Sequence, residues 1–164
     1  MENNKKVVTA KVIVVDIDGT LSDASERAAK YLDPSGKKSD WDGFYNACGE
    51  DKPIQPVIDL VENLSTFYKV IFCSGRRESC RKATEEWFDK YVHLYGINLK
   101  PYTFLFRKDG DKRHDMIVKP EMLNAYLAEH PTEVVSGVIE DRNTMVAKWR
   151  ELGYLCLQPA DGDF

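Results

Sequence analysis

Two aspartates separated by one residue, Asp16 and Asp18, are the side chains of this sequence best suited to chemistry. They follow the apolar run Val12-Ile13-Val14-Val15 and precede Gly19. Alternate residues of a strand point to the same side, so both carboxylates begin on one face. Like charges held so close repel unless a cation lies between them, and Mg²⁺ prefers such hard oxygen ligands. The pair therefore indicates a magnesium-dependent reaction, with an Asp-rich turn of no catalytic role as the alternative.

Strand-like apolar segments alternate with segments of helical periodicity along the chain. Predicted strands lie at about 7–16, 69–73, 102–106, 134–139 and 154–157, and predicted helices at about 54–68, 78–95, 119–129 and 144–152. This alternation predicts an α/β fold, with three layers (α/β/α) around a mostly parallel central sheet. The 164 residues fit a single domain, 1–164. Residues 22–53 lack sustained periodicity, and we expect them to form a small cap-like insertion.

Polar residues follow four of the predicted strands. They are Asp16 and Asp18, Ser74 and Arg76, Arg107 and Lys108, and Glu140 and Asp141. The carboxyl ends of parallel strands lie at one edge of a sheet, so these groups should converge. Lys119 opens a predicted helix, where a positive charge is unfavourable unless it has another purpose. Carboxylates for Mg²⁺ beside hydroxyl, guanidinium and ammonium donors are what phosphoryl transfer requires, although each element alone could be a turn or a helix cap.

The stretch Asp16-Ile17-Asp18-Gly19-Thr20-Leu21 resembles the first motif of the haloacid dehalogenase (HAD) superfamily of aspartyl phosphotransferases. The wider sequence from Lys11 to Phe164 is similar to the 3′-phosphatase domains of the polynucleotide kinase/phosphatase family, notably that of the bacteriophage enzyme. The residues that carry this resemblance are Arg27, Ser74-Gly75-Arg76-Arg77-Glu78, Trp87, Asp115, Lys119, Glu140-Asp141-Arg142, Val146, Trp149-Arg150, Gly153 and Gly162-Asp163-Phe164. The resemblance implies a HAD-like Rossmannoid fold with a minimal cap insertion.

The resemblance also implies residue roles. Asp16 is expected to attack phosphorus and become an aspartyl phosphate, and Asp18 to act as general acid and then general base. Mg²⁺ is expected at Asp16, Asp141, the backbone carbonyl of Asp18 and, with a less defined role, Glu140. The residues expected to bind the phosphoryl group or the substrate are Ser74, Lys119, Thr20, Arg27, Gly75, Arg76 and Asp115, with the two arginines contacting phosphate. The family usually has a second aspartate at position 140, and its pattern is poorly matched over 31–53.

Charge distribution favours a nucleic-acid substrate. The net charge is −4, but residues 76–119 contain 11 Lys or Arg and 7 Asp or Glu, a local charge of +4, and the remainder carries −8. With little room for a closing cap, we expect hydrolysis of a 3′-phosphorylated DNA or RNA end. A nucleotidase that holds a free mononucleotide through Trp41, Phe44 or Tyr45 is one alternative, and a receiver-like phosphoacceptor module is another. Those aromatic residues could instead form only a packed cluster.

Composition adds weaker expectations. The hydrophobic fraction of 43% and the charged fraction of 30% are ordinary for a soluble globular protein. No run is long and apolar enough for a membrane span, and the N-terminus lacks a signal-peptide core, so we expect a cytoplasmic protein, in the host cytoplasm if phage-encoded. A homo-oligomer is left open, and a kinase activity is not expected because no phosphate-binding Gly-x-x-x-x-Gly-Lys motif occurs. The four cysteines, Cys48, Cys73, Cys80 and Cys156, are predicted to be reduced and non-catalytic.

Overall fold

A computed structural model describes residues 10–98 and 100–162. Its strands are β1 (Ala10–Val15), β2 (Ser22–Asp23), β3 (Lys52–Pro53), β4 (Lys69–Arg77), β5 (Thr103–Arg107), β6 (Glu133–Ile139) and β7 (Cys156–Leu157). Its helices are α1 (Ser25–Tyr31), α2 (Trp41–Asn46), α3 (Gln55–Leu64), α4 (Arg81–Tyr91), α5 (Asp115–Glu129) and α6 (Asn143–Glu151), with 3₁₀ turns at Glu78–Cys80 and Gly96–Asn98. Five strands form a parallel sheet in the order β5-β4-β1-β6-β7.

The central strand β1 is apolar on both faces, and helices cover both. Ile13 and Val15 face a cluster that includes residues of α3 and α4, whereas Val12 and Val14 face residues of α5 and α6. A strand between two helical layers is shielded from water on both faces, so its sequence is a continuous apolar run. The predicted three-layer α/β architecture with a parallel sheet is confirmed. Residues 7–9 of the predicted first strand lie outside the described residues.

The insertion at 22–53 is more ordered than its sequence suggests. It contains α1, α2 and the antiparallel pair β2–β3, although residues 22–53 show no sustained periodicity. Both helices are under eight residues long, too short for a strong periodic signal, so tertiary contacts stabilise them. Asp40 caps α2 by accepting a hydrogen bond from the Gly43 backbone N–H (2.9 Å), and Gly43 packs directly on the Tyr31 ring.

Among the other boundaries that differ from the predictions, two affect polar residues of the candidate site. β4 continues to Arg77, with an irregularity in its pairing to β5 between Ser74 and Arg77. α5 begins at Asp115 rather than Lys119, because the His114 side chain caps it by accepting a hydrogen bond from the Met116 N–H (3.2 Å). Lys119 therefore lies one turn inside the helix and points towards the sheet, not at an exposed helix start.

Among residues 10–98 and 100–162, no helix combines the length and hydropathy needed to cross a bilayer. All four cysteines are buried free thiols.

Candidate active site

Residues 16–22, directly after β1, form a tight loop that carries both aspartates. The Ile17 carbonyl accepts hydrogen bonds from three backbone N–H groups, those of Thr20, Leu21 and Ser22 (3.2, 2.8 and 2.9 Å). Gly19 has φ of +86°, a backbone conformation that residues with a Cβ rarely adopt. The loop thus turns within one residue of Asp18, and it holds both carboxyl groups at the carboxyl edge of the sheet.

Asp16 lies beside Lys119 in the interior of this edge. Lys119 Nζ is 2.9 Å from Asp16 Oδ1 and donates a hydrogen bond to Glu140 Oε2 at 2.7 Å. Trp149 Nε1 also donates to Glu140 Oε2 (3.4 Å). All three charged side chains are buried. Burial would lower the pKa of Lys119, but the charges of Asp16 and Glu140 outweigh it and raise the pKa, so the ammonium group is retained.

Three carboxylates at this edge offer a cation site. Oxygens of Asp16, Glu140 and Asp141 lie within 4.8 Å of one another, and the Lys119 ammonium group contacts the first two residues. Burial and then the Glu140 charge raise the pKa of Asp16, whereas burial and then the Asp16 charge raise the pKa of Asp141 to about 6. Three buried carboxylates beside the Lys119 ammonium group leave an excess of negative charge that a further cation would neutralise. This hard oxygen donor set therefore fits Mg²⁺.

The Asp141 side chain is also held in place by neighbours from both ends of the chain. Thr20 Oγ1 donates a hydrogen bond to Asp141 Oδ1 (2.8 Å), and Gln158 Nε2 donates to the Asp141 carbonyl (2.8 Å). Gly162 packs so closely that a Cβ there would lie 2.5 Å from Asp141 Oδ2. The other motif residues at this end, 163 and 164, lie outside the described part of the chain.

Asp18 is held by two buried arginines. Its Oδ1 accepts hydrogen bonds from Arg27 Nη2 (2.6 Å) and Arg76 Nη2 (2.7 Å), whereas Oδ2 accepts only from Arg76 Nε (3.2 Å) among the described residues. Burial favours a higher pKa for Asp18, but the charges of Arg76 and then Arg27 outweigh it and hold the pKa well below the usual range. The arginine contacts therefore fix Oδ1 and leave Oδ2 the less constrained oxygen.

Sequence reasoning did not identify Asp51, the second anion of this network. Its carboxylate accepts hydrogen bonds from Arg27 Nε (2.9 Å) and Nη2 (2.7 Å), and Trp87 Nε1 donates to its carbonyl (2.7 Å). Arg76 also bonds Thr84 and Ser22 through its guanidinium (2.9 and 3.1 Å). Asp51 precedes Lys52-Pro53 in a turn-like sequence, which gave no functional signal.

Arg27, Arg76 and Thr20 do not occupy the positions expected of substrate contacts. All three are buried, and none is among the described residues that line the cavity above the aspartates. The arginines bind the carboxylates of Asp18 and Asp51, and Thr20 binds Asp141. The short loop at 16–22 directs Asp18 towards both arginines. The three side chains therefore hold neighbouring carboxylates in place and do not face the cavity.

The cavity itself has a volume of about 820 Å³ and opens over Asp16 and Asp18. The predicted site residues that line it are Asp16, Asp18, Ser74, Gly75, Asp115, Lys119 and Glu140, and its walls also include Trp41, Phe44, Tyr45, Arg77, Arg107, Lys112, Arg113 and Arg142. Asp141 does not line the cavity, but its carboxylate lies close to that of Asp16, which does. The structure thus brings together nucleophile, acid–base, metal and phosphate-binding candidates at one opening.

Asp115 lines the cavity and binds two arginines that also line it. It forms an ion pair with Arg107 and accepts a hydrogen bond from Arg142 Nη1 (2.7 Å). A Cβ added at Gly75 would meet the Asp115 carboxylate oxygens at 2.9 and 3.0 Å. Because two arginines fix Asp115, it cannot easily move aside, which explains why a glycine follows Ser74.

We expect Gly75→Ala to lower kcat/KM roughly 10- to 100-fold, because the added methyl group must displace either Asp115 or the backbone beside Ser74. Steady-state hydrolysis of any accepted phosphomonoester measures this effect. Gly49→Ala is the matched control, since its Cβ would make an ordinary 3.4 Å contact with the Ala83 side chain. Equal kinetics for Gly75→Ala and wild type would show that Asp115 is not held as tightly as its two arginine contacts imply.

Comparisons with known proteins agree with this geometry. A family model described as the polynucleotide kinase PNKP phosphatase domain matches residues 10–164. A putative bifunctional polynucleotide kinase/RNA ligase of Autographa californica nuclear polyhedrosis virus is 26% identical over 144 residues, covering 87% of this chain and 18% of that protein. A chain of the solved Pnkp1/Rnl/Hen1 complex is 31% identical with a TM-score of 0.71, over 98% of this chain and 49% of that chain.

A haloacid dehalogenase-like hydrolase from Streptococcus pneumoniae is 15% identical with a TM-score of 0.59, over 93% of this chain and 84% of that chain, and this likeness concerns the fold alone. The predicted HAD-like fold is therefore confirmed. The chain spans less than a fifth of the viral relative and about half of the matched chain in the Pnkp1/Rnl/Hen1 complex. With the family model covering all the described residues, the chain belongs to the phosphatase-domain family of polynucleotide kinase PNKP and is a HAD-type phosphatase.

Proposed function

We propose that this protein is a Mg²⁺-dependent polynucleotide 3′-phosphatase that acts through an aspartyl phosphate on Asp16. The observation that carries the proposal is the buried Asp16–Lys119 ion pair at the floor of a cavity that also exposes Asp18. Family membership supports the reaction type, and the names of relatives as polynucleotide kinase/RNA ligase and as part of an RNA repair complex support a nucleic-acid end in repair.

In the first step a carboxylate oxygen of Asp16 attacks phosphorus and the bond to the 3′-oxygen breaks. Lys119 and the Ser74 hydroxyl, which line the same cavity, supply a positive charge and a donor for the phosphoryl oxygens. The Lys119–Glu140 hydrogen bond fixes the ammonium group next to Asp16. Bound at Asp16, Glu140 and Asp141, Mg²⁺ would supply further charge neutralisation.

Asp18 Oδ2 is the proposed proton carrier. In the protein without substrate its pKa is held low by Arg76 and Arg27, so it starts as a carboxylate. The incoming phosphate dianion favours its protonation, because a like charge raises the pKa of a carboxyl group. The proton passes to the leaving 3′-oxygen, and the regenerated carboxylate then takes a proton from the water that hydrolyses the aspartyl phosphate.

The test compares phosphate release from four substrates: a 3′-phosphorylated oligonucleotide, its 5′-phosphorylated isomer, a free 3′-mononucleotide and a free 5′-mononucleotide. We expect the highest kcat/KM for the 3′-phosphorylated oligonucleotide, in DNA or RNA form, and dependence on Mg²⁺. Preference for free mononucleotides, with the oligonucleotide left intact, would indicate a nucleotidase instead. A stable aspartyl phosphate with negligible turnover would indicate a phosphoacceptor module.

Metal binding is also testable without turnover. Because Mg²⁺ relieves repulsion among three buried carboxylates, we expect saturating Mg²⁺ at about 100 times its Kd to raise Tm by roughly 5 to 10 °C. Differential scanning fluorimetry in chelator-treated buffer measures the shift. Asp141→Asn should reduce the response and Asp59→Asn, an exposed residue of α3, should retain it. The same Mg²⁺ response in Asp141→Asn and wild type would contradict the assigned metal site.

A further inference from the structure

The insertion contributes an aromatic side to the cavity, which we call the aromatic wall: Trp41, Phe44 and Tyr45, all from α2. Phe44 is buried and Tyr45 is half-buried, but 46% of Trp41 is exposed. A residue that served only packing would lose most of its surface to neighbours. An indole that faces a cavity above two catalytic aspartates instead offers an apolar surface to whatever enters.

The rings of the aromatic wall are arranged around Phe44. The ring of Phe44 is close to perpendicular to those of Trp41 and Tyr45, with centroids 5.8 and 5.6 Å away. Trp41 and Tyr45 are tilted only 33° from each other, with centroids 6.2 Å apart. They therefore present two neighbouring, mutually tilted rings, with Phe44 as the buried support.

Two arginines hold this arrangement. The Arg27 guanidinium lies 4.1 Å from the Phe44 ring centroid and donates to the Phe44 carbonyl (3.1 Å). The Arg77 guanidinium lies 4.4 Å from the Tyr45 centroid and forms an ion pair with Asp42. One face of Tyr45 is thus already occupied, and Trp41 retains the largest exposed ring surface of the wall.

Positive charge lies on the same cavity. Arg77, Lys112 and Arg113 line it, and Lys112 is exposed with no ion pair to any residue in the described ranges. Aromatic rings beside cations are the combination that binds single-stranded nucleic acids, because every nucleobase can stack and every linkage carries a phosphate. The cavity volume of about 820 Å³ also falls in the range of sites that hold a ligand of nucleotide size.

We propose that Trp41, supported by Tyr45 and Phe44, stacks on a nucleobase at the 3′ end of the substrate strand, while Lys112 attracts the adjoining phosphate. This inference rests on the proposed function, since it assigns the base-binding part of the same site. The insertion then selects nucleic-acid ends over smaller phosphate esters.

Fluorescence provides a binding test that does not need turnover. Trp87 and Trp149 are only 2% and 1% exposed, so quenching by a bound nucleobase reports on Trp41. In the Asp16→Asn protein, a 3′-phosphorylated dinucleotide is expected to quench the emission saturably. A 3′-phosphorylated strand whose end lacks bases should not quench it, and Trp41→Phe in the same background should lose the signal. Equal quenching by the strand without bases would overturn the stacking site.

Kinetics provide the second test. We expect Trp41→Ala to raise KM for a 3′-phosphorylated oligonucleotide about tenfold, with kcat changed less than about twofold, and Trp41→Phe to restore most of the affinity. Turnover of the strand without terminal bases should not change. Phe67→Ala is the control, because Phe67 is 82% exposed but precedes β4, at the opposite end of the sheet.

The outcomes separate the two proposals. If wild-type protein hydrolyses the oligonucleotide and Trp41→Ala has an unchanged KM, the stacking site is wrong and the 3′-phosphatase remains. If wild-type protein releases phosphate only from small esters, the proposed function is wrong. Base-dependent quenching in Asp16→Asn then decides whether the aromatic wall still binds nucleobases.

Discussion

Replacing Asp16 by asparagine is expected to abolish phosphate release and, in metal-free buffer at neutral pH, to raise the melting temperature. The amide cannot form the phosphoenzyme, so we expect kcat to fall about 10³-fold or more. The stability gain has a different origin. Burial and the charge of Glu140 raise the pKa of Asp16, so its ionised form costs folding free energy.

The sign of the pH dependence follows from this shift. A carboxyl group whose pKa is higher in the folded than in the unfolded protein lowers stability at pH values above the unfolded pKa, about 4. The Tm difference between Asp16→Asn and wild type should therefore be present at pH 7 and vanish near pH 4 and below. Thermal melts over this range in chelator-treated buffer measure it.

Asp59→Asn is the control for this prediction, because it removes an exposed carboxylate of α3 and should leave both activity and Tm close to wild type. An active Asp16→Asn protein would exclude Asp16 as nucleophile. An inactive variant whose Tm equals that of wild type at every pH would agree with Asp16 as the nucleophile. It would also show that the buried carboxylate does not lower the stability of the fold.

Arg76→Ala is expected to have the largest effect on stability. It leaves Asp18 buried without its main counter-charge and also removes hydrogen bonds to Thr84 and Ser22. Breaking a buried ion pair by removing one partner costs about 3–5 kcal/mol, which corresponds to a fall in Tm of roughly 6–20 °C for a domain of this size. Chemical denaturation and thermal melts measure the loss, with Arg81→Ala of the exposed ion pair to Glu78 as the near-neutral control.

If Arg76 positions Asp18 as its contacts imply, its variants should also change the pH profile. The Arg76 charge is the largest contribution that lowers the pKa of Asp18. In Arg76→Ala, or in Arg27→Lys if the first variant folds poorly, we expect the acidic limb of kcat, which reports Asp18 as the general base in aspartyl-phosphate hydrolysis, to shift to higher pH. A lower rate with an unshifted limb would mean that the arginines only stabilise the fold.

The convergence of the candidate catalytic groups could be predicted from sequence because it depends on topology alone. Any parallel sheet brings the residues after its strands to one edge, so Asp16, Ser74 and Asp141 had to lie near one another once the strands were identified. The helical position of Lys119 was misjudged by one turn, because the His114 cap that starts α5 early left no distinct pattern.

The arginine network could not be predicted in the same way. Whether Arg27 faces phosphate or Asp18 depends on how the insertion folds back over the sheet, and α1 and α2 are too short to show a period. The contact between Arg27 and Asp51 joins residues 24 positions apart across that insertion. Such contacts depend on tertiary packing, so the positions of the charges were visible in the sequence and their partners were not.

The two hydrogen bonds that Arg27 makes through different guanidinium nitrogens have a practical consequence for protein engineering. One nitrogen donates a hydrogen bond to Asp18 and another donates to the carbonyl of Phe44, so one side chain joins the proposed proton carrier to the aromatic wall. A chimera that exchanges only residues 31–50 for a foreign loop would keep Arg27 but lose its anchor in α2. Redesign of substrate range should therefore transplant the whole block from Ser22 to Pro53, or catalytic turnover will be altered together with selectivity.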